Sequence, residues 1–351
     1  VALTPEAAAA AFVGEGATCA PLAGGHINDS WLVRRGAERC FLQRINARVF
    51  RDPRQVVRNV TAVTAHVRAC REPVTCPLLL PTRTGRPWLE DEDGGIWRCM
   101  EYVDAEVKPI VGSAHDAREA ALAFGAFSRM MASYAGPPLP ETIPGFHDTA
   151  ARLRQLEQAV TMDPLGRAAA ARSDIEALRQ RAPLTGLLPS RMAAGTVPCR
   201  LAHNDAKIAN VLFDRTTGRA RWVVDLDTVM PGSLLHDFGD LVRSSVTRAA
   251  EDDSSPQAEP ELFEALAEGF LLGAGDAPTV TELALLESAG RLITFEQAAR
   301  FLTDHLQGDT YYRIDRPGQN LERARSQLAL LESLEAQSGA FRAAVERLSH
   351  R

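Results

Sequence analysis

Roughly the first hundred residues carry apolar positions at strand-like spacing over 17–23, 27–34 and 38–45, with Gly24-Gly25 and Arg35-Gly36 as breakers. The pattern then changes period. Asp52-Pro53 reads as a helix start, and Val56, Val57, Val60, Val63 and Val67 follow helical spacing to about Cys70. Further strands are predicted near 76–80, 87–91 and 96–103. After Val103 the chain turns helical. Ser113-x-x-Asp116 opens a helix with Ala117, Ala121, Phe124, Phe127 and Met131 along one side, and Pro137-Pro138 and Pro140 close it. Helical patterns return at 147–161 and 168–181, short strands interrupt at 199–226, and Thr279-x-x-Glu282 caps a long helix over 280–305. The pattern predicts an α+β chain of two lobes, a small antiparallel sheet over 1–103 and a larger, mainly helical lobe over 104–351.

Composition narrows the class. The 351 residues are 45% hydrophobic and 24% charged, as expected of a globular protein with a sizeable core. No apolar run approaches a membrane span, and no basic start with an apolar run marks a signal peptide, so a cytoplasmic location is expected. A net charge of −6 argues against a nucleic-acid binder that works by phosphate neutralisation. The six cysteines form no Cys-x-x-Cys pair, which removes zinc ribbons and thioredoxin-type redox motifs. Phosphate-loop, zincin and hydrolase-elbow signatures are absent as well. Of 39 basic residues only Lys108 and Lys207 are lysine. A lysine near a site is therefore worth attention.

The chemistry-bearing stretch is His203-Asn204-Asp205-Ala206-Lys207, with Asn210 five residues after Asp205 and Asp225 at the end of the apolar run Trp222-Val223-Val224. A His-x-Asp with Asn at that distance matches the catalytic loop of protein-kinase-like phosphotransferases. Phosphoryl transfer needs a carboxylate to orient the hydroxyl nucleophile and take its proton, and oxygen ligands to hold Mg²⁺ on the phosphates. Asp205 is placed for the first task, Asn210 and Asp225 for the second. The letters Asp237-Phe238-Gly239 imitate the kinase metal motif, but Asp225 ends a strand at hairpin distance and is preferred. Asp237 is expected to cap or brace a helix near 238–246. Lys207, two residues past Asp205, is expected to meet the charge of the transferring phosphoryl group.

These motifs resemble the aminoglycoside phosphotransferase and choline kinase superfamily and, more narrowly, the N-acetylhexosamine 1-kinases. The narrower likeness rests on Gly24-Gly25-His26-Ile27-Asn28-Asp29-Ser30, Phe41-Leu42-Gln43-Arg44-Ile45-Asn46, Thr142-Ile143-Pro144-Gly145-Phe146-His147-Asp148-Thr149, Arg300-Phe301-Leu302-Thr303-Asp304 and the run from Asn320 to Gln327. The resemblance implies ATP as co-substrate with Mg²⁺, and a small sugar acceptor bound by a monomer or small homo-oligomer. It places Gly24 and Gly25 over the nucleotide and the backbone of Glu101 and Val103 against adenine. The lysine that kinases carry on the third strand is missing. Gln43 or Arg44 must cover its place, since strand alternation turns only one into the cleft. Gln43 is the better aligned of the two, and Asn59 is expected as a neutral substitute for the helix acid. For the acceptor, Glu296, Arg300 and Asp304 recur every four residues on one helix side, which is otherwise the pattern of a solvated face. The resemblance makes Arg300, Asp304, His26 and Tyr312 acceptor residues, while Phe146-His147 either lines that pocket or begins a helix. The alternatives are a kinase for another small hydroxyl acceptor (an aminoglycoside, choline or homoserine) and a nucleotide-binding pseudokinase.

Overall fold

A computed structural model of the chain describes residues 3–22 and 27–350. It begins with a helix, α1 (Pro5–Val13), that the hydrophobic pattern does not announce because its alanine run has little amphipathic contrast. The start is set locally: Thr4 Oγ1 accepts the Ala7 N–H at 3.2 Å and Pro5 occupies the first turn. Then come β1 (Thr18–Pro21), β2 (Asp29–Arg35), β3 (Glu38–Arg44), α2 (Pro53–Cys70), β4 (Leu79–Leu80), β5 (Leu89–Glu90) and β6 (Ile96–Glu101). The strands form one antiparallel sheet in the order β1-β2-β3-β6-β4, with β5 also on β6.

The alternation of β3 and β6 decides what faces the cleft. Cys40, Leu42, Trp97 and Cys99 pack with Ala8, Ala9 and Phe12 of α1 on one face. Ile45 and Ile96 pack with the α2 valines on the other. Gln43 and Arg98, paired in register, belong to this second face. α2 begins where expected, with Asp52 accepting from the Arg54 and Gln55 amides at 3.1 Å each.

Beyond the sheet, β7 (Glu106–Val107) leads into α3 (Ala114–Ala132), α4 (Thr149–Met162), α5 (Arg172–Gln180) and α6 (Pro189–Ala193). The short strands β8 (Arg200–Ala202), β9 (Val211–Phe213), β10 (Ala220–Val223) and β11 (Met230–Gly232) follow, with β9 between β10 and β7 and β8 against β11. Five helices complete the chain: α7 (Leu234–Ser245), α8 (Pro260–Ala274), α9 (Val280–Gln307), α10 (Gln319–Ala336) and α11 (Ser338–Ser349). Both predicted caps form at their Ser/Thr. Ser113 Oγ accepts from Asp116 N at 3.1 Å, whereas the Asp116 carboxylate takes Lys108 Nζ at 2.6 Å. At α9 both halves of the capping box are made.

α3 and α8 cross at backbone contact. A Cβ on Gly125 would lie 2.2 Å from the Phe270 carbonyl oxygen, and one on Gly273 2.2 Å from that of Leu122, so only glycine fits at either place. This pair, with Phe124, Phe127, Phe238, Phe263 and Phe270 buried around it, is the rigid platform under β8–β11 and the start of α7. The chain thus has the antiparallel sheet followed by a helical C-terminal part that the pattern predicts. Among the described residues no helix is long and apolar enough to cross a membrane.

Candidate active site

The site is built on two short loops, 203–210 between β8 and β9 and 224–228 after β10, which are bonded to each other. His203 Nε2 meets the Val224 carbonyl at 3.0 Å, Thr228 Oγ1 donates to the His203 carbonyl at 2.8 Å, and the Val224 N–H reaches the Asn210 carbonyl at 3.0 Å. The His203 ring is buried edge-on against Phe124 and Phe127, so its role is to anchor the loop. Asn204 and Asp225 both adopt left-handed backbone, φ 61° and 60°. Such conformations persist where the surroundings hold them. Asn204 is held by its Nδ2 donating to the carbonyls of Ala202 and Thr228 at 3.1 and 3.0 Å.

Asp237 secures the same loop from below. Its two carboxylate oxygens accept the backbone N–H groups of His203 at 2.9 Å and Asn204 at 2.7 Å. Ser233, not Asp237, is the cap of α7, so Asp237 braces the catalytic loop rather than its own helix.

Asp205, Lys207, Asn210 and Asp225 converge as expected. Lys207 Nζ lies 2.9 and 3.2 Å from the two oxygens of Asp205, and Asn210 Nδ2 donates to Asp205 Oδ2 at 2.8 Å and to its carbonyl at 2.9 Å. Burial pushes the Asp205 carboxyl up, but the charge and hydrogen bond of Lys207 outweigh it and hold the group at about 2. Burial likewise opposes the charge on Lys207, and Asp205 and Asp225 more than compensate, raising it. Asp225 is different: burial, then Asp227 and Asp205, push it up to about 6. Asp205 is thus a fixed anion and Asp225 a buried carboxyl in excess negative charge. The Asp205 and Lys207 side chains remain 26% and 29% exposed, so the pair faces an open cleft.

Across that cleft, Gln43 is buried and Arg98 is 2% exposed. Arg98 donates to both oxygens of Asp227, at 2.5 and 2.9 Å, and twice to Gln43 Oε1, at 3.0 and 2.6 Å. Arg44 turns the other way and pairs with Asp91 at 3.2 Å, so alternation removes it from the face that carries Gln43 and Arg98. Asn59 also departs from expectation. Its amide is engaged by Gln55 at 2.8 Å and by the Pro140 carbonyl at 2.9 Å, away from Gln43. The Glu101 side chain bonds Arg68 and the Leu78 amide, and its N–H goes to the Leu78 carbonyl at 2.9 Å. Val103 follows in the link to β7, its carbonyl accepting the Ala105 N–H at 3.1 Å. Gly24, Gly25 and His26 lie outside the described residues.

On the far side, α9 does not present a solvated stripe. Glu296 is buried, and its oxygens accept from His147 Nδ1 at 2.8 Å and Thr149 Oγ1 at 2.6 Å. His147 Nε2 meets the Asn204 carbonyl at 2.9 Å. Both ring nitrogens face acceptors, which requires the doubly protonated imidazolium. Burial disfavours that charge, yet Glu296 raises the His147 pKa and is itself held at about 2. Beside it, with the rings tilted by 36° and their centroids 4.6 Å apart, His236 is kept neutral, pushed down to about 3 by burial and by His147. Arg300 lies over three rings, Phe146 at 5.0 Å, Tyr312 at 5.7 Å and Tyr311 at 5.9 Å. Tyr312 also accepts a hydrogen bond from Gln297 at 3.1 Å.

Asp304 does not reach into the cleft. Its carboxylate accepts the N–H groups of Thr310, Tyr311 and Tyr312 at 2.8–2.9 Å and the Asn320 amide at 2.9 Å, which makes it the clamp of the loop carrying both tyrosines. The sequence reading missed Arg98, Asp227 and the α7 residues Asp240 and Arg243, which are bonded at 2.6 Å. The available signal in α7 was His236, Asp240 and Arg243 at helical spacing.

Solved structures with the same fold include an aminoglycoside phosphotransferase from Alicyclobacillus acidocaldarius, 16% identical over 99% of this chain and 98% of that one at a TM-score of 0.65. A microcompartment-associated aminopropanol kinase is 17% identical over 92% and 94% at 0.63, and a choline/ethanolamine kinase family protein from Mesorhizobium loti 17% over 94% and 92% at 0.59. Residues 18–283, the larger part of the chain and both of the loops 203–210 and 224–228, match the family described as phosphotransferase enzyme family, APH. A carboxylate held ionised by a lysine, beside an asparagine and a second aspartate on paired loops, is what phosphoryl transfer requires, and the chain belongs to the phosphotransferase enzyme family.

Proposed function

We propose that the protein is an ATP-dependent kinase that phosphorylates the anomeric hydroxyl of an N-acetylhexosamine, giving the sugar 1-phosphate. The observation that carries the acceptor class is the set of rings around Arg300. Phe146, Tyr311 and Tyr312 would suit a cationic acceptor, but the chain's own guanidinium fills them. Nor is Asp240, whose charge reaches Lys207, free for an aminoglycoside, because Arg243 pairs with both Asp240 and Glu251. A neutral polyol fits this mixture of donors and acceptors. The narrower choice of N-acetylhexosamine rests on the sequence resemblance.

Asp205 orients the anomeric hydroxyl and takes its proton as the oxygen attacks the γ-phosphorus of ATP; the bond from that phosphorus to the bridging oxygen breaks, and ADP leaves. A hemiacetal hydroxyl is more acidic than an ordinary alcohol, so one carboxylate is a sufficient base. Lys207 keeps Asp205 in place and stands beside the charge that develops on the phosphoryl group. The donors present fit Mg²⁺. Asn210 Nδ2 is engaged by Asp205, which leaves Oδ1 as an oxygen ligand, and Asp225 adds a buried carboxylate in need of positive charge. Mg²⁺ sites on nucleotide phosphates use one or two such groups. When bound, the ion neutralises charge on the β- and γ-phosphates. Adenine would meet the Glu101 carbonyl and the Val103 N–H, with Gly24 and Gly25 over the phosphates and Gln43 on the sheet side. Arg300, Tyr312 and His26 would bind the sugar. Residues 1–103 thus carry the nucleotide and 104–351 the acceptor, in a cytoplasmic monomer or small homo-oligomer.

The test is ATP consumption with Mg²⁺ against N-acetylglucosamine, N-acetylgalactosamine, glucose, galactose, choline, homoserine and kanamycin, with Asp205→Asn as control. Turnover confined to the amino sugars, with the phosphate located on C1 by NMR and abolished in the variant, is expected. Turnover with choline or kanamycin, or full activity of Asp205→Asn, overturns the proposal.

A further inference from the structure

We propose that Arg98 is the positioning residue that replaces the missing third-strand lysine, by clasping Asp227 across the cleft and so fixing the metal ligand Asp225; the inference rests on the kinase reading above. On the cleft face of β3 stands the neutral Gln43, and the cation comes from the residue registered beside it on β6. The fork of Arg98 meets both oxygens of Asp227, a planar, bidentate geometry that a lysine could not reproduce. The remaining polar groups of the sheet converge on the same carboxylate. Asn28 Nδ2 donates to Asp227 Oδ2 at 2.7 Å, and Asn28 Oδ1 accepts from the Asn46 N–H at 3.0 Å. Gln43 is fixed in turn by Ser30 Oγ at 3.0 Å. Three neighbouring strands thus contribute to one grip.

Asp227 has little freedom to pass this grip on to anything but the metal loop. Only Leu226 separates it from Asp225, whose left-handed backbone must be held from outside, and the Asp227 carbonyl is pinned by Thr142 Oγ1 at 2.6 Å. The alternative arrangement, a cation on β3 paired with an acid on α2, is closed, because Asn59 is engaged elsewhere. The two designs differ physically. A strand-to-α2 pair lies within the N-terminal lobe and can form whether or not the cleft is closed. The Arg98–Asp227 pair joins the sheet to the catalytic side, so closing the cleft and aligning Asp225 become one event. A buried ion pair adds little net stability over a well-packed apolar substitute, which is consistent with a geometric role.

The experiment uses the full chain with Arg98→Lys, Arg98→Met and the double variant Arg98→Met/Asp227→Asn. Three quantities are read: Tm, the dissociation constant of Mn²⁺·ADP by electron paramagnetic resonance, and kcat with KM for the acceptor. Arg98→Lys keeps the charge and loses the fork, and it is expected to weaken Mn²⁺·ADP binding and lower kcat by about 10- to 100-fold, leaving acceptor KM nearly unchanged. Arg98→Met leaves Asp227 buried without its partner and lowers Tm. The double variant removes both charges, so Tm returns toward the parent value while Mn²⁺·ADP affinity and kcat stay impaired. Recovery of affinity and kcat together with Tm would reduce Arg98 to a packing role and overturn the proposal. Failure of the parent chain itself to bind Mn²⁺·ADP defeats the kinase reading and the clasp with it. Parent binding with unchanged binding and kcat in Arg98→Lys defeats the clasp alone.

Discussion

Replacing Glu296 with glutamine separates the charge on α9 from its shape. Glu296 is 1% exposed and accepts from His147 and Thr149, while His147 carries the connection on to the Asn204 carbonyl beside Asp205. A carboxyl held at about 2 instead of its ordinary 4.5 stabilises the fold by about 3 kcal/mol at neutral pH. Loss of one partner from a buried pair gives a similar figure, about 3–5 kcal/mol. The sign on the Glu296 side is set by its depressed pKa: its contribution is present above about 4.5 and is lost as pH falls toward about 2. The His147 pKa is raised, so its contribution is complete below 6.5 and is lost as pH rises through its folded value. The stability difference between parent and Glu296→Gln should therefore be largest between pH 5 and 6.5 and shrink in acid. For a chain of this size about 3 kcal/mol corresponds to a Tm lower by roughly 4 °C. Urea unfolding of both proteins at several pH values, with kcat in parallel, measures it. A difference below about 1 kcal/mol at pH 6, or one that grows in acid, would refute the imidazolium–carboxylate assignment.

Other consequences can be checked separately. Lys207→Met removes the cation that outweighs burial at Asp205 and that also lowers Asp225, so the acid limb of kcat/KM should move to higher pH, with kcat lower by roughly 10²–10³-fold; an unmoved limb counts against the pair. Asp304→Ala strips the acceptor from the amides of Thr310, Tyr311 and Tyr312, and isothermal assays should find a higher acceptor KM with kcat little changed, because the residue arranges the tyrosine loop rather than the reacting atoms. Gly273→Ala places a methyl 2.2 Å from the Leu122 carbonyl oxygen, and thermal denaturation should register a loss of about 1–3 kcal/mol or more with the catalytic constants of the surviving folded protein intact.

By itself, the sequence determined whatever is written within one element or one loop. The Asp205/Asn210 spacing, the strand end at Asp225, the Ser113 and Thr279 helix starts and the valine face of α2 are local constraints of backbone geometry, and each stands where its spacing places it. Alternation also limited β3 to one cleft-facing residue, and the sheet pairing then settled that Gln43 is that residue and Arg44 belongs to Asp91. What the tertiary structure decided is which charges find partners. Arg98 gave no stronger signal than a charge inside the apolar run from Ile96 to Met100, and its partner Asp227 is 129 residues away. Glu296, Arg300 and Asp304 share one helical spacing, yet one meets His147 across 149 residues, one is framed by aromatic rings and one clamps a loop. Periodicity reports which side of an element a residue occupies. The role of a buried charge depends instead on its counter-charge, which must be supplied within hydrogen-bond reach wherever the chain folds back, because leaving it unpaired costs several kcal/mol.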